Sequence, residues 1–337
     1  MPRPRRRSDA RATAAFLGAL AVLAVLGILA LQVGAYPVTP SELWAVLSGR
    51  AHGINATVIY AIRGPRILGA MLVGAALSSA GAAYQSLFRN PLVSPDILGV
   101  SSGAALGAVL GILLGLPVGA IEVASFAGGI AAMALVYGVA VAIRGHDPVL
   151  VLVLSGVVIG SLMGSGVALV KFLADPENQL PAITFWLLGS LASFNRSDLM
   201  ALAPPVAIGL VPLVLLRWRL DVMTLGDEEA RALGVEVALL RLGIVASATL
   251  MTAAAVSVSG VVGWIGLVVP HLARLIVGPA FRRLLPLTAV LGAAFLLAVD
   301  TLARNAGGVE VPLGVLTAVL GTPVFLWLMA AARRVGS

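Results

Sequence analysis

Apolar runs of about twenty residues follow one another along the whole chain, and this leaves few folds open. Each run is long enough to cross a hydrocarbon core of roughly 30 Å as a helix, the form that satisfies its own backbone polar groups. The balance of residues agrees, with 60% hydrophobic and 11% charged, far from that of a water-soluble domain. The expected fold is an all-α integral membrane protein of about ten transmembrane helices, over 14–34, 65–87, 97–116, 118–143, 149–173, 199–217, 238–258, 261–278, 284–303 and 312–332. A single domain, 1–337, is expected, with a basic tail at 1–13 and one charged loop at 218–237.

Charge sets the expected orientation. Five arginines precede the first apolar run, which is too long for a signal segment and lacks a small-x-small site before Tyr36, so an uncleaved first span is expected. With both termini on one face, sixteen of the 22 lysines and arginines fall there and six on the other. This asymmetry predicts cytoplasmic termini in a bacterial inner membrane. It also accounts for the net charge of +7 without a nucleic-acid partner. Against the bias, Arg63, Arg66 and Arg304 fall on the far face, beside spans two, nine and ten. They read equally as interfacial anchors or as a docking patch for an acidic partner.

Small residues mark the expected helix contacts. Gly99, Gly103, Gly107, Gly111 and Gly115 recur every fourth residue in the third span; Gly156, Gly160, Gly164 and Ala168 do so in the fifth. The second adds Ala70, Gly74, Ser78 and Ala82. In lipid, where tails compete for apolar side chains, helices associate where small residues let backbones approach.

Chemistry-bearing groups are sparse. Glu122, Lys171 and Asp300 fall near span ends, leaving no buried relay of the kind an ion-coupled carrier needs. His52, His146 and His271 lack companion ligands, and cysteine is absent, so no metal site is expected. The single lysine, Lys171, follows Val167-Ala168-Leu169-Val170 rather than a glycine-rich phosphate loop. No nucleophile, base and orienting group stand together, so neither an enzyme nor a bound cofactor is expected.

One loop carries dense charge of both signs. Within it Asp227 suits a helix start, Glu228 and Glu229 suit the positive end of its dipole, and Gly234 suits a left-handed end. A two-turn surface helix is expected, and two turns in water need external support.

Three further segments carry a family resemblance. Phe88-Arg89-Asn90-Pro91-Leu92 leads to Leu98-Gly99-Val100-Ser101-Ser102-Gly103-Ala104-Ala105; Gly263-Trp264-Ile265-Gly266 leads to Pro270-His271-Leu272-Ala273-Arg274; and Phe185-Trp186-Leu187-Leu188-Gly189-Ser190-Leu191 follows the fifth span. In order, spacing and setting, nearly the whole chain resembles the FecCD permeases, membrane subunits of ATP-binding-cassette importers for iron siderophores, haem and cobalamin. The resemblance implies a homodimer with its pathway on the two-fold axis, a cytoplasmic ATPase dimer that keeps ATP and magnesium to itself, and a periplasmic or lipid-anchored binding protein. It implies that Asp227, Glu228, Glu229, Ala230, Arg231, Leu233 and Gly234 form the helix that couples to the ATPase. It implies that Arg63, Arg66 and Arg304 dock the binding protein, that Asn90, Pro91, Leu92, His146 and Asp147 form a cytoplasmic gate, and that 185–191 is a re-entrant helix. Two places depart from the family pattern: Val93 and Ser94 stand where an alanine and an acid are common, with Asp96 following, and Gly64 replaces a leucine between the outer arginines. An ATP-independent carrier or channel, an importer of oxyanions, an intramembrane enzyme and a structural subunit remain as alternatives.

Overall fold

A computed structural model describes residues 4–143, 148–307 and 309–335. Its helices, in chain order, are α1 (Pro4–Gln32), α2 (Pro40–Leu47), α3 (Ile54–Thr57), α4 (Gly64–Leu87), α5 (Val100–Leu113), α6 (Val118–Ala142), α7 (Pro148–Leu173), α8 (Gln179–Leu188), α9 (Arg196–Leu215), α10 (Arg217–Met223), α11 (Asp227–Ala232), α12 (Val237–Ser259), α13 (Ile265–Val277), α14 (Phe281–Ala303) and α15 (Leu313–Val335). A π-helical turn, Val58–Arg63, joins α3 to α4, and a 3-10 turn, Pro95–Leu98, precedes α5.

Each of the ten expected spans contains one helix. Among the described residues, seven helices are long and apolar enough to cross a membrane unaided, and α5, α13 and the Leu313–Leu328 part of α15 belong to a shorter apolar set with α8. The spans expected over 97–116 and 261–278 are the two that shrink. Pro95 opens the 3-10 turn, and Gly99, at φ +76°, ends it before α5 begins. Gly260 (φ +67°) and Trp264 (φ +70°) likewise hold an irregular segment ahead of α13. With 14 and 13 residues, α5 and α13 reach only about 20 Å. Irregular backbone persists at such depth because neighbouring helices enclose it.

Packing is centred on α4. The most apolar window of the segment Ile54–Leu87 is 78% buried, against 11% for that of α1, which lies outside against α14. Around α4 stand α9, α12, α13 and α14, while α5, α6 and α7 form a neighbouring group joined to it through α12. One apolar core runs from Ala19 of α1 to Leu313 at the start of α15.

Glycine sets how close the helices come. A Cβ placed on Gly81 would lie 1.9 Å from the carbonyl oxygen of Gly266, and one on Gly74 would lie 2.2 Å from that of Gly292. Between α5 and α6, Gly107 would meet the Ala124 carbonyl at 2.1 Å and Gly103 the Gly128 carbonyl at 2.4 Å. In α7 the stripe divides: Gly156 packs on Ile97, Gly160 only grazes Gly99 at 3.5 Å, and Gly164 has nothing within 4 Å. The ladder expected to pack along α7 is thus in contact at Gly156 and open at Gly164. The difference arises because α5 starts late, so its preceding turn meets only the first part of α7.

Candidate functional site

The first candidate lies on the far face, opposite the amino terminus. Here α4 begins, α14 ends, and the loop to α15 carries Glu310. Arg66 reaches the fully buried Asp300 through Nε and Nη2, at 3.0 and 2.9 Å to Oδ1. Its Nη1 and Nη2 also donate to the two oxygens of Glu310, both at 2.8 Å. Arg304 Nε lies 3.3 Å from the other Asp300 oxygen, Oδ2. Arg63 donates to the carbonyls of Leu31 (2.6 Å) and Tyr36, closing the end of α1 over α4. The Glu310 carboxyl is held below its ordinary range by the hydrogen bonds from Arg66.

The three arginines expected to dock a binding protein make their contacts inside the fold. Arg63 and Arg66 are only 5% and 7% exposed, and Arg304 turns its guanidinium toward Asp300. A guanidinium pays a large desolvation cost unless its donors are filled, and the fold fills them with internal carboxylates and helix-end carbonyls. What this cluster offers to solvent is Glu310, whose side chain is 36% exposed. Sequence reasoning passed over Asp300 and Glu310 as partners. The four-residue spacing from Asp300 to Arg304 was the available signal; Glu310, in a loop, gave none.

The second candidate lies on the opposite, tail face. Gly226, at φ +137°, starts α11, and Gly234, at φ +79°, turns the chain after it. The helix is six residues long, shorter than the expected two turns, and it is anchored by Ala230, which is fully buried. Asp227 does not cap it. Instead its carboxylate accepts from Arg241 Nη2 of α12 at 2.8 Å and lies 3.9 Å from Arg89 Nη2. Glu228, Glu229, Arg231, Leu233 and Gly234 are exposed. So the side chains facing solvent are acidic, basic and apolar in turn, on a short helix fixed at its base.

Arg89 belongs to the loop that follows α4. It adopts a left-handed backbone at φ +50°, and Asn90 Oδ1 accepts from Leu92 N at 2.9 Å, fixing the turn. Asn90 and Leu92 are exposed, Val93 is buried, and Ser101 donates to Asp96. His146 and Asp147, expected to face this loop, lie outside the described residues. Beside it, Arg274 Nη2 donates to Gln85 Oε1 at 3.3 Å, and Gln85 Nε2 donates to the Leu267 carbonyl at 3.1 Å. The Pro-His-x-x-Arg segment therefore ties α13 to α4. The helix expected at 185–191 is α8, which stops at Leu188 because Gly189, at φ +75°, bends back to donate from its neighbour Ser190 to the Ser259 carbonyl at 2.8 Å.

Similar proteins agree with this architecture. The family model described as the FecCD transport family matches residues 22–331. The chain is 35% identical to the molybdate import system permease protein MolB of Haemophilus influenzae, over 95% of this chain and 96% of that protein. It is 37% identical to the hemin transport system permease protein HmuU of Yersinia pestis, over 94% and 95%. A solved ABC transporter in an inward-facing conformation, assigned to the metal-chelate type, superposes with a TM-score of 0.86 at 36% identity, covering 94% of this chain and 98% of that one. With a bundle of this form and a match across nearly its full length, the chain belongs to the FecCD transport family and is a multi-pass transport permease subunit of an ABC importer, not an enzyme.

Proposed function

We propose that two copies of this chain form the translocation pathway of a binding-protein-dependent importer for a metal chelate, such as an iron chelate, haem or a corrinoid. The observation that carries this reading is α11, exposed at its tip and tethered at its base. Asp227 joins that base to Arg241 on α12 and approaches Arg89 in the loop before α5. A cytoplasmic ATPase that takes hold of Glu228, Arg231 and Leu233 would thereby move the loop at Asn90, Pro91 and Leu92. The sequence carries no glycine-rich phosphate loop, so in this reading uphill movement depends on ATP hydrolysis by that partner changing which conformation is favoured.

Under this reading the tail and α11 face the cytoplasm, and the arginine cluster faces the binding protein. Arg66 and Arg304 then act from beneath, by presenting Glu310 and ordering the loop around it. A second reading, an oxyanion as cargo, is favoured by the similarity to a molybdate permease. The test is reconstitution with the cognate ATPase and binding protein in proteoliposomes. Import of haem or a ferric chelate against its gradient, only with ATP and only with the ATPase present, is the expected result. Uptake of molybdate alone would select the second reading, and concentrative uptake without the ATPase would overturn both.

A further inference from the structure

On the far face, two adjoining cavities of about 280 and 200 Å³ share Glu122, Ser257 and Val258 as a common wall. They lie where the beginnings of α6 and α9 meet the end of α12, with Trp186 of α8 on the wider side and Phe126 of α6 on the other. Glu122 is half-buried, and among the described residues its carboxylate makes no hydrogen bond or ion pair. No lysine, arginine or histidine lines either cavity.

Two of the four serine hydroxyls lining the wider cavity, those of α12, present acceptors, and Ser190 and Ser193 complete that wall. Ser257 Oγ donates to the Ala254 carbonyl at 3.0 Å, and Ser259 Oγ donates to the Ala255 carbonyl at 2.8 Å. Each has one hydrogen, already committed within α12, so only lone pairs remain for an occupant. A carboxylate beside hydroxyl lone pairs and aromatic rings, in a largely apolar wall, favours a cation that can donate several hydrogen bonds. A carboxylate at the edge of the hydrocarbon is itself costly without such a partner.

We infer that this is a binding site for a primary ammonium group. Two sources share that chemistry: the headgroup of phosphatidylethanolamine in the adjacent leaflet, and a soluble alkylamine. Arg196 is exposed at the start of α9, the helix that gives Ala201 and Pro205 to the wall, where a lipid phosphate would approach. The site does not depend on the transport reading.

The test uses the full chain, stripped of lipid in neutral detergent, with binding followed by native mass spectrometry and by melting temperature. Phosphatidylethanolamine is expected to bind and raise the melting temperature, phosphatidylglycerol to do neither, and phosphatidylcholine, which has no N–H, to bind more weakly. Ethylammonium chloride, compared with sodium chloride, tests the soluble source; a response to it alone would support the site with a soluble amine as occupant. Glu122→Gln should weaken either ligand by about tenfold or more, the loss of one charged hydrogen bond. Equal binding of the two lipid headgroups phosphatidylethanolamine and phosphatidylglycerol, with no effect of ethylammonium, would overturn the inference, as would undiminished binding to Glu122→Gln. Should Glu122→Gln fail to fold, Ser257→Ala decides: it removes one acceptor and should weaken binding by about threefold, and unchanged affinity would overturn the proposal.

Discussion

Arg66 binds Asp300 at the bottom of a closed cluster, with Nη2 2.9 Å from Oδ1 and the carboxylate wholly shielded from solvent. Removing Asp300 leaves Arg304 without its carboxylate and Arg66 with the half-exposed Glu310 alone. Asp300→Ala should therefore destabilise the purified chain by about 3 kcal/mol, whereas replacing Arg66 and Asp300 together by Met and Leu should recover part of that loss, Arg304 and Glu310 still lacking their partners. Thermal unfolding in detergent measures both. If the double variant melts as low as Asp300→Ala, the pair has a role beyond charge balance.

Glu310 gives the same cluster a pH dependence. Its carboxyl is held below the ordinary value of 4.5 by the hydrogen bonds from Arg66. The sign follows: its stabilising contribution is complete above that ordinary value and disappears as pH falls through the lower folded value. Melting temperature measured downward from pH 6 should fall in that acid range more steeply for the native chain than for Glu310→Gln. Parallel curves would remove Glu310 from the account.

Backbone contact between helices predicts a sharp split among glycine variants. Gly81→Ala and Gly107→Ala would drive a methyl into carbonyls at 1.9 and 2.1 Å, while Gly164→Ala meets open space. The first two should lose most folded protein in a detergent gel-filtration assay, and the third should remain at native yield. Folded Gly81→Ala at normal yield would mean that α4 and α13 separate easily.

At the tail face, reversing charges with Glu228→Lys and Arg231→Glu should leave the melting temperature within about 0.5 kcal/mol equivalent, since both side chains are exposed. Co-purification of the ATPase and ATP-driven import should both drop. Intact co-purification and import would count against α11 as the coupling element.

Arg89→Ala tests the link between α11 and the loop after α4. The 3.9 Å separation from Asp227 makes it a weak pair, and its removal should cost little stability. It should uncouple the two activities, with ATP hydrolysis continuing while import falls. Equal rates of import in the variant and the native chain would place the transmission elsewhere.

Most of the bundle was legible because the constraint is coarse: lipid demands long apolar helices, and each such run became one. The two shortened spans were harder to read, since an apolar run looks the same whether it is helical throughout or begins with a 3-10 turn. Pro95 and Gly99 carried that information, and Gly99 was read as a packing residue instead. The charged helix is legible from Asp227 to Gly234, but the sequence suggests Asp227 as its cap, a place that Gly226 takes. Its partners Arg89 and Arg241 come from other elements, and such contacts are set by tertiary approach rather than local pattern. The outer arginines show the same limit: their number and face were readable, while the turn of Arg66 and Arg304 toward Asp300 and of Arg63 toward the end of α1 depends on how α1, α4 and α14 pack.

The touching backbones at Gly74 with Gly292 and Gly81 with Gly266 divide the labour of the molecule. Three helices clasped carbonyl to carbon have no slack to slide and form one rigid block. On the other side α7 is pinned against the Ile97 carbonyl at Gly156 and bare at Gly164, so along that stripe only the later part of the helix has room to give.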